Sequence, residues 1–189
     1  MLLGFPGARK DALLTPKTWF LISICKGCRV VNYGRLILNL QTRSKEGILV
    51  EGIVPGLASE CQLLVREENT AAHLGSGDVS ALATPEMIRL MEKASVAAVD
   101  PLLPEGYKTV GILVNVRHLA ATPMGMEVRV RAELTEVDDR RLVFRVEAHD
   151  EVEKVGEGEH HRMIVDAQKF GEKVSKKGES ASVSLSSRT

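Results

Sequence analysis

Thr84, Glu92 and His118 offer a hydroxyl, a carboxylate and an imidazole, the side chains from which a proton-transfer reaction can be assembled. Thr84 stands before Pro85 and reads as the N-cap of a helix with proline at its first position, where a missing N–H costs nothing. A hydroxyl there also lies in the partial positive charge of a helix N-terminus, which favours a developing oxyanion. Glu92 lies about 12 Å further along the helical axis, in a mostly apolar segment. It either reaches solvent at the helix edge beside Arg89 and Lys93, or it has a chemical use. His118 ends a strand pattern of Val and Ile, as a satisfied core or rim residue or as a proton carrier near neutral pH. Gly111 interrupts that strand, either for a bulge or close packing against the helix, or as an opening through which a substrate reaches backbone N–H groups. On one helix and one adjoining strand, the four can converge at a single pocket.

The helix that must carry two of them is predicted over Thr84–Val99. Apolar residues at Met87, Ile88, Leu90, Met91 and Ala94, and then at Val96 to Val99, are too many for one amphipathic stripe, so its second half should be buried on most sides. Asp100-Pro101 and Pro104-Glu105-Gly106 close it. Before it, Cys61, Leu63 and Val65 alternate with polar neighbours as a half-buried strand, and Asn69 to Asp78 reads as a flexible connection bordering a pocket. After it come three strands without another long helix. Val110, Ile112, Val114, Val116 and His118 should share one face by the period of two. Val128 to Leu134 and Leu142 to Ala148 repeat the pattern, joined through the hairpin-like turn Asp138-Asp139-Arg140. A broken fourth run spans Glu153 to Val165. One long helix on an antiparallel sheet is an α+β solution.

The chain has 189 residues and a formal net charge of zero, which suits one domain with spare ends and does not suggest a nucleic-acid partner. Residues 1–50 carry eight Lys/Arg against two Asp/Glu, so a basic head precedes an acidic body. Residues 1–47 read as a poorly ordered or non-domain extension, with short apolar runs at Trp19 to Ile24 and Arg35 to Leu40. Residues 48–170 read as the domain, and 171–189 as a disordered tail rich in Ser and Lys. Thr18 to Cys25 is too short to span a bilayer, so no membrane partner is expected. Cys25, Cys28 and Cys61 are too few and odd in number for a disulfide framework. They read as unpaired thiols in a reducing, cytoplasmic compartment. His160-His161 point to opposite faces of a strand, so no metal site is expected.

Leu82-Ala83-Thr84-Pro85-Glu86-Met87-Ile88-x-Leu90-Met91-Glu92, then Thr109-Val110-Gly111 and Val116-Arg117-His118-Leu119-Ala120-Ala121-Thr122-Pro123-Met124-Gly125, resemble the fluoroacetyl-CoA-thioesterase-like branch of the hotdog-fold acyl-CoA thioesterases. Glu133 to Asp138 and Phe144-x-Val146-x-Ala148-His149-Asp150 continue the similarity across about 48–170. The resemblance implies an antiparallel sheet wrapped round one central helix, assembled at least as a homodimer with active sites near the subunit interface. It implies Thr84, Glu92 and His118 as catalytic residues, Gly111 as a substrate-facing glycine and Arg162 as an arginine facing the CoA phosphates. The phenylalanines that form a lid in the fluoroacetate-specific enzyme have no counterpart in Gly75 to Ser80. The expected reaction is hydrolysis of a short- or medium-chain acyl-CoA, with no separate cofactor. The alternatives are a hotdog dehydratase or hydratase and a non-catalytic acyl-CoA-binding module.

Overall fold

The computed structural model describes residues 28–33 and 52–186. Six strands form one antiparallel sheet: β1 (Cys28–Tyr33), β2 (Leu57–Leu64), β3 (Tyr107–His118), β4 (Glu127–Asp138), β5 (Arg141–His149) and β6 (Lys154–Asp166), in the order β1-β2-β4-β5-β6-β3. Between β2 and β3 run a short helix α1 (Ala71–Leu74) and the long helix α2 (Thr84–Val99); α3 (Ala167–Ser186) follows β6. The sequence pattern thus locates α2 to within one residue at its start, where Ala83 and not Thr84 is the N-cap, because its apolar density and its Pro-rich ends are both strong local signals.

Helix α2 lies in the curl of the sheet and packs chiefly on β2 and β4. Met87, Leu90, Met91, Ala94, Ala98 and Val99 are buried with Val128, Val130, Leu134, Phe144 and Val146 in one core. Ala97 and Ser95 are buried as well, as the apolar crowding of the second half requires. Ser59 Oγ donates to the Ala94 carbonyl at 2.9 Å and Ser95 Oγ to the Met91 carbonyl at 2.9 Å, so both buried hydroxyls are satisfied. The first half of the helix approaches β6 at Gly156, where an added Cβ would meet the Met87 sulfur at 2.5 Å.

Strand β3 departs from the expected single face. Gly111 pairs with Arg162 and Leu113 with His161, so Ile112 is an extra residue, a β-bulge. Reading the register across to β6, Thr109 and Gly111 share the inward face with Val114, Val116 and His118, while Val110 and Ile112 do not. The strand is also a sheet edge, with Ile112, Leu113 and Val114 at 50%, 43% and 39% exposure. The β4–β5 connection is the tight turn expected, with Asp139 in the left-handed region at φ 55°.

The two ends correct the sequence reading. Part of the supposed extension, Cys28–Tyr33, is a sheet strand paired with β2. Cys28 and Cys61 face each other across that pair with Cα atoms 4.1 Å apart and are joined by a disulfide, rather than being unpaired thiols. The tail, expected to be disordered over 171–189, is helical through Ser186. The expected runs at Trp19 to Ile24 and Arg35 to Leu40 lie outside the described residues. Among the described residues, no helix is long and apolar enough to cross a membrane.

Gly156→Ala should lower unfolding stability by about 1–3 kcal/mol, the cost of overpacking a filled core. Urea denaturation checks this, and the loss should shrink when Met87→Ala is added, because the two side chains contend for one space.

Candidate active site

Thr84 stands on the first turn of α2, but its side chain does not cap the helix. Ala83 is the N-cap residue and no side-chain capping bond is made, which leaves the Thr84 hydroxyl free for another partner. That partner is His118 at the end of β3, with Thr84 Oγ1 and His118 Nδ1 2.8 Å apart. The other ring nitrogen, Nε2, is buried without a hydrogen-bond partner among the described residues. Burial pushes the His118 pKa below the ordinary imidazole value of 6.5, partly opposed by the backbone at Ala120. The imidazole is therefore neutral at pH 7 and able to take a proton.

The segment leading into Thr84 is tied on both sides. Leu82 N–H donates to the Thr122 carbonyl at 2.8 Å, and Ala83 N–H to the Asn69 carbonyl at 2.9 Å. Asn69 Nδ2 in turn donates to Glu86 Oε1 at 3.1 Å. Glu86 is buried, and the hydrogen bond from Arg89 holds its carboxyl below the usual carboxylate range. This polar knot fastens the loop after β2 to the helix start. Beside it, that loop and the residues after His118 border an open cavity of about 440 Å³ that reaches Thr84 and His118, its walls built largely from Ala71, Val79, Ala81, Leu82, Leu119 and Ala120. The glycine-bearing connection borders a pocket, as its composition suggested.

Glu92 and Gly111 form a second group. A point one bond from the Gly111 Cα, where a Cβ would sit, lies 3.3 Å from Glu92 Oε1, 3.2 Å from His160 Cε1 and 3.8 Å from Arg162 Nη1. A side chain at position 111 would fill the space these groups share. Arg162 is 5% exposed. Its Nε donates to Thr109 Oγ1 at 2.8 Å and its Nη2 to the Thr109 carbonyl at 2.8 Å; Nη1 lies 3.0 Å from His160 Nε2. Asp100, at the C-terminal end of α2, accepts from Thr109 Oγ1 at 2.5 Å and closes the network. The guanidinium is thus buried inside the cluster, with one contact to protein from each of its three nitrogens.

The four central candidates are therefore brought together in two pairs, not one. Thr84 meets His118, and Glu92 meets Gly111. Measured along β6 between their partners Arg162 and Gly156, Gly111 and His118 are separated by roughly 20 Å at 3.3 Å per residue, too far for both pairs of one chain to touch one carbonyl. His160, Thr109 and Asp100 were missed by sequence reasoning. The available signal was the alternation His160-x-Arg162, which puts an imidazole and a guanidinium on one face of a strand. Among the described residues, no group of three or more His, Cys, Asp or Glu side chains is placed to hold a metal ion.

With this geometry in hand, comparison with known proteins is decisive. A family model described as fluoroacetyl-CoA-specific thioesterase matches residues 65–168, more than half of the chain. The chain belongs to this family. A curated relative, the fluoroacetyl-CoA thioesterase of Streptantibioticus cattleyicolor, is 46% identical over 95 residues, covering 50% of this chain and 68% of the relative. A solved fluoroacetyl-CoA thioesterase structure superposes with a TM-score of 0.63 at 37% identity, covering 66% of this chain and 97% of that one. A thioesterase superfamily member from Thermus thermophilus does so at 0.65 and 30% identity, covering 69% and 97%. The sheet wrapped on α2 is the hotdog fold of these thioesterases.

The neutral state of His118 has a measurable consequence. The unfolded chain binds a proton near pH 6.5 and the folded ring resists it, so stability should fall as pH drops below 6.5. Burial of His160, whose pKa is also lowered, adds to the same window. Glu86 acts only below its ordinary value of 4.5, so the two windows separate. Thermal midpoints measured from about pH 7.5 to about pH 5 should decline, and His118→Asn should flatten that decline.

Proposed function

We propose that this chain, within the acyl-CoA thioester hydrolysis of its family, acts on a short- or medium-chain acyl-CoA, with Thr84, Glu92 and His118 as its catalytic residues. The observation that carries the reading is the Thr84–His118 hydrogen bond at the wall of an apolar cavity of about 440 Å³. A cavity of that size, lined by alanines and leucines, supports a small apolar acyl group. The loop at Gly75 to Ser80, which lacks the phenylalanine lid, supports a substrate other than fluoroacetyl-CoA.

Water adds across the thioester bond: the carbonyl carbon gains the oxygen, the C–S bond breaks, and the sulfur leaves as CoA thiol after taking a proton. Glu92 serves as nucleophile or as the base that activates water, and the Thr84–His118 pair delivers the proton. Backbone N–H groups near Gly111 or at the helix start hold the oxyanion. Arg162 contributes to substrate binding from within the Glu92 cluster.

The separation of the two pairs supports a homodimer. If two copies join their β3 edges antiparallel about an axis at Asn115, the bulge at Ile112 brings Gly111 of one copy opposite His118 of the other. One complete site is then built from the Glu92–Gly111 group of one subunit and the Thr84–His118 pair of the second. The exposed run Ile112 to Val114 supplies the apolar edge such pairing covers. An acyl-CoA carries several phosphate charges and does not cross a bilayer unaided, which supports a cytoplasmic location, against which the Cys28–Cys61 disulfide is a contrary observation.

Release of free thiol from a panel of acyl-CoAs tests the reaction. Enoyl-CoA formation without thiol would instead favour a dehydratase, and binding without turnover a sensor. Glu92→Gln should keep the fold and lower turnover by at least about 10²-fold. A folded variant hydrolysing at the parent rate removes Glu92 from the mechanism. Val114→Lys, by placing charge on the shared edge, should give monomers by light scattering and lose most activity, although Thr84, Glu92 and His118 are untouched.

A further inference from the structure

His160 is 1% exposed, and both of its ring nitrogens are engaged. Nδ1 lies 2.8 Å from the carbonyl oxygen of Leu113, the residue just past the β3 bulge, and Nε2 lies 3.0 Å from Arg162 Nη1. A guanidinium has only donors and a carbonyl oxygen only accepts. Nε2 must therefore accept and Nδ1 must carry the hydrogen, which leaves one protonation state that satisfies both bonds: the neutral Nδ1–H tautomer. The ring ties the bulge of β3 to the guanidinium that, with Glu92, crowds the space above Gly111.

We propose that His160 is a positioning residue for thioester hydrolysis, holding Arg162 and the β3 bulge where Glu92 meets Gly111. The proposal rests on the hydrolytic reading above. His160 touches neither the cavity beside Thr84 nor a reacting atom; it acts through the groups it holds. Protonation would turn Nε2 into a donor facing a cation and break the tie. The charged or titratable groups around the ring are Arg162 and His161 on β6 and Glu92 on α2, of which only the carboxylate favours the charged ring; burial and Arg162 disfavour it.

Two measurements on the full chain test this. In the first, ¹⁵N–¹H NMR of the histidine rings in the wild-type protein reads the tautomer directly, without reference to activity. His160 should remain neutral and Nδ1-protonated at pH 7 and down to about pH 6, where a free imidazole is already largely charged. An Nε2–H tautomer, or a charged ring at pH 7, would overturn the proposal. In the second, H160A, H160N and H160Q are compared on whichever acyl-CoA the wild type hydrolyses. H160A should lose at least about tenfold in kcat with KM nearly unchanged, because the reacting geometry and not substrate affinity is disturbed. H160Q, whose amide oxygen reaches the Nε2 position, should recover most of that loss; H160N, which reaches only the Leu113 side, should recover less. Parent-like kcat in H160A, a loss confined to KM, or better recovery in H160N would each count against His160. A wild-type protein that hydrolyses no acyl-CoA would refute the hydrolytic reading, and the NMR result would then decide whether the His160 tie exists.

Discussion

Everything that this fold positions depends on the burial of α2 in the curl of the sheet. The helix carries Thr84 on its first turn and Glu92 at mid-length, so its seat fixes both. That seat is made by apolar contact with β2 and β4 and by the absence of a side chain at Gly156, where Met87 enters. Dispersion and burial hold the helix without direction; the polar ties at its ends supply the direction. Glu86 and Asn69 fasten the start of the helix to the loop that walls the cavity, and Asp100 fastens its end to Thr109 and so to Arg162.

Two polar systems with different chemistry grow from that one element. The Thr84–His118 pair is open on one side and borders a largely apolar cavity. The half-buried Glu92 stands beside an arginine and a histidine that, with a threonine, are hydrogen-bonded to one another. The strand that links them is also the sheet's long free edge, so the assembly of subunits and the completeness of the site become one question.

The body of the helix, the strands β2 to β6, the β4–β5 turn and the pocket-bordering loop were legible because each rests on local periodicity or turn chemistry. The site residues were legible as types. Their grouping was not, because it depends on which face of the sheet each residue takes and on how far apart the strand holds them. The cysteines misled for a related reason. Counting them says nothing of register, and Cys28 meets Cys61 only because β1 pairs with β2 in that alignment. His160 was passed over because attention fell on its neighbour: as an adjacent pair the two histidines suggest a metal and fail, whereas His160 with Arg162 makes the contact that matters. The tail was read from composition, and its helix shows that a polar sequence free of proline can still close backbone hydrogen bonds.

The bulge at Ile112 gives the length of β3 a meaning separate from its composition. Gly111 and His118 stand an odd number of positions apart, so on an unbroken strand they would face opposite sides of the sheet. The single extra residue restores their parity, and both come to face the helix. Ile112 makes this contribution by occupying a place in the count, and its own side chain is exposed. Many substitutions at that position would leave the arrangement standing, and deletion of the residue would only straighten the strand, since Gly111 and His118 would then stand an even number of positions apart with no bulge between them. Insertion of one further residue between them would instead act like a shifted reading frame written in three dimensions: every named group would be retained, and one of the two would be turned away from the helix.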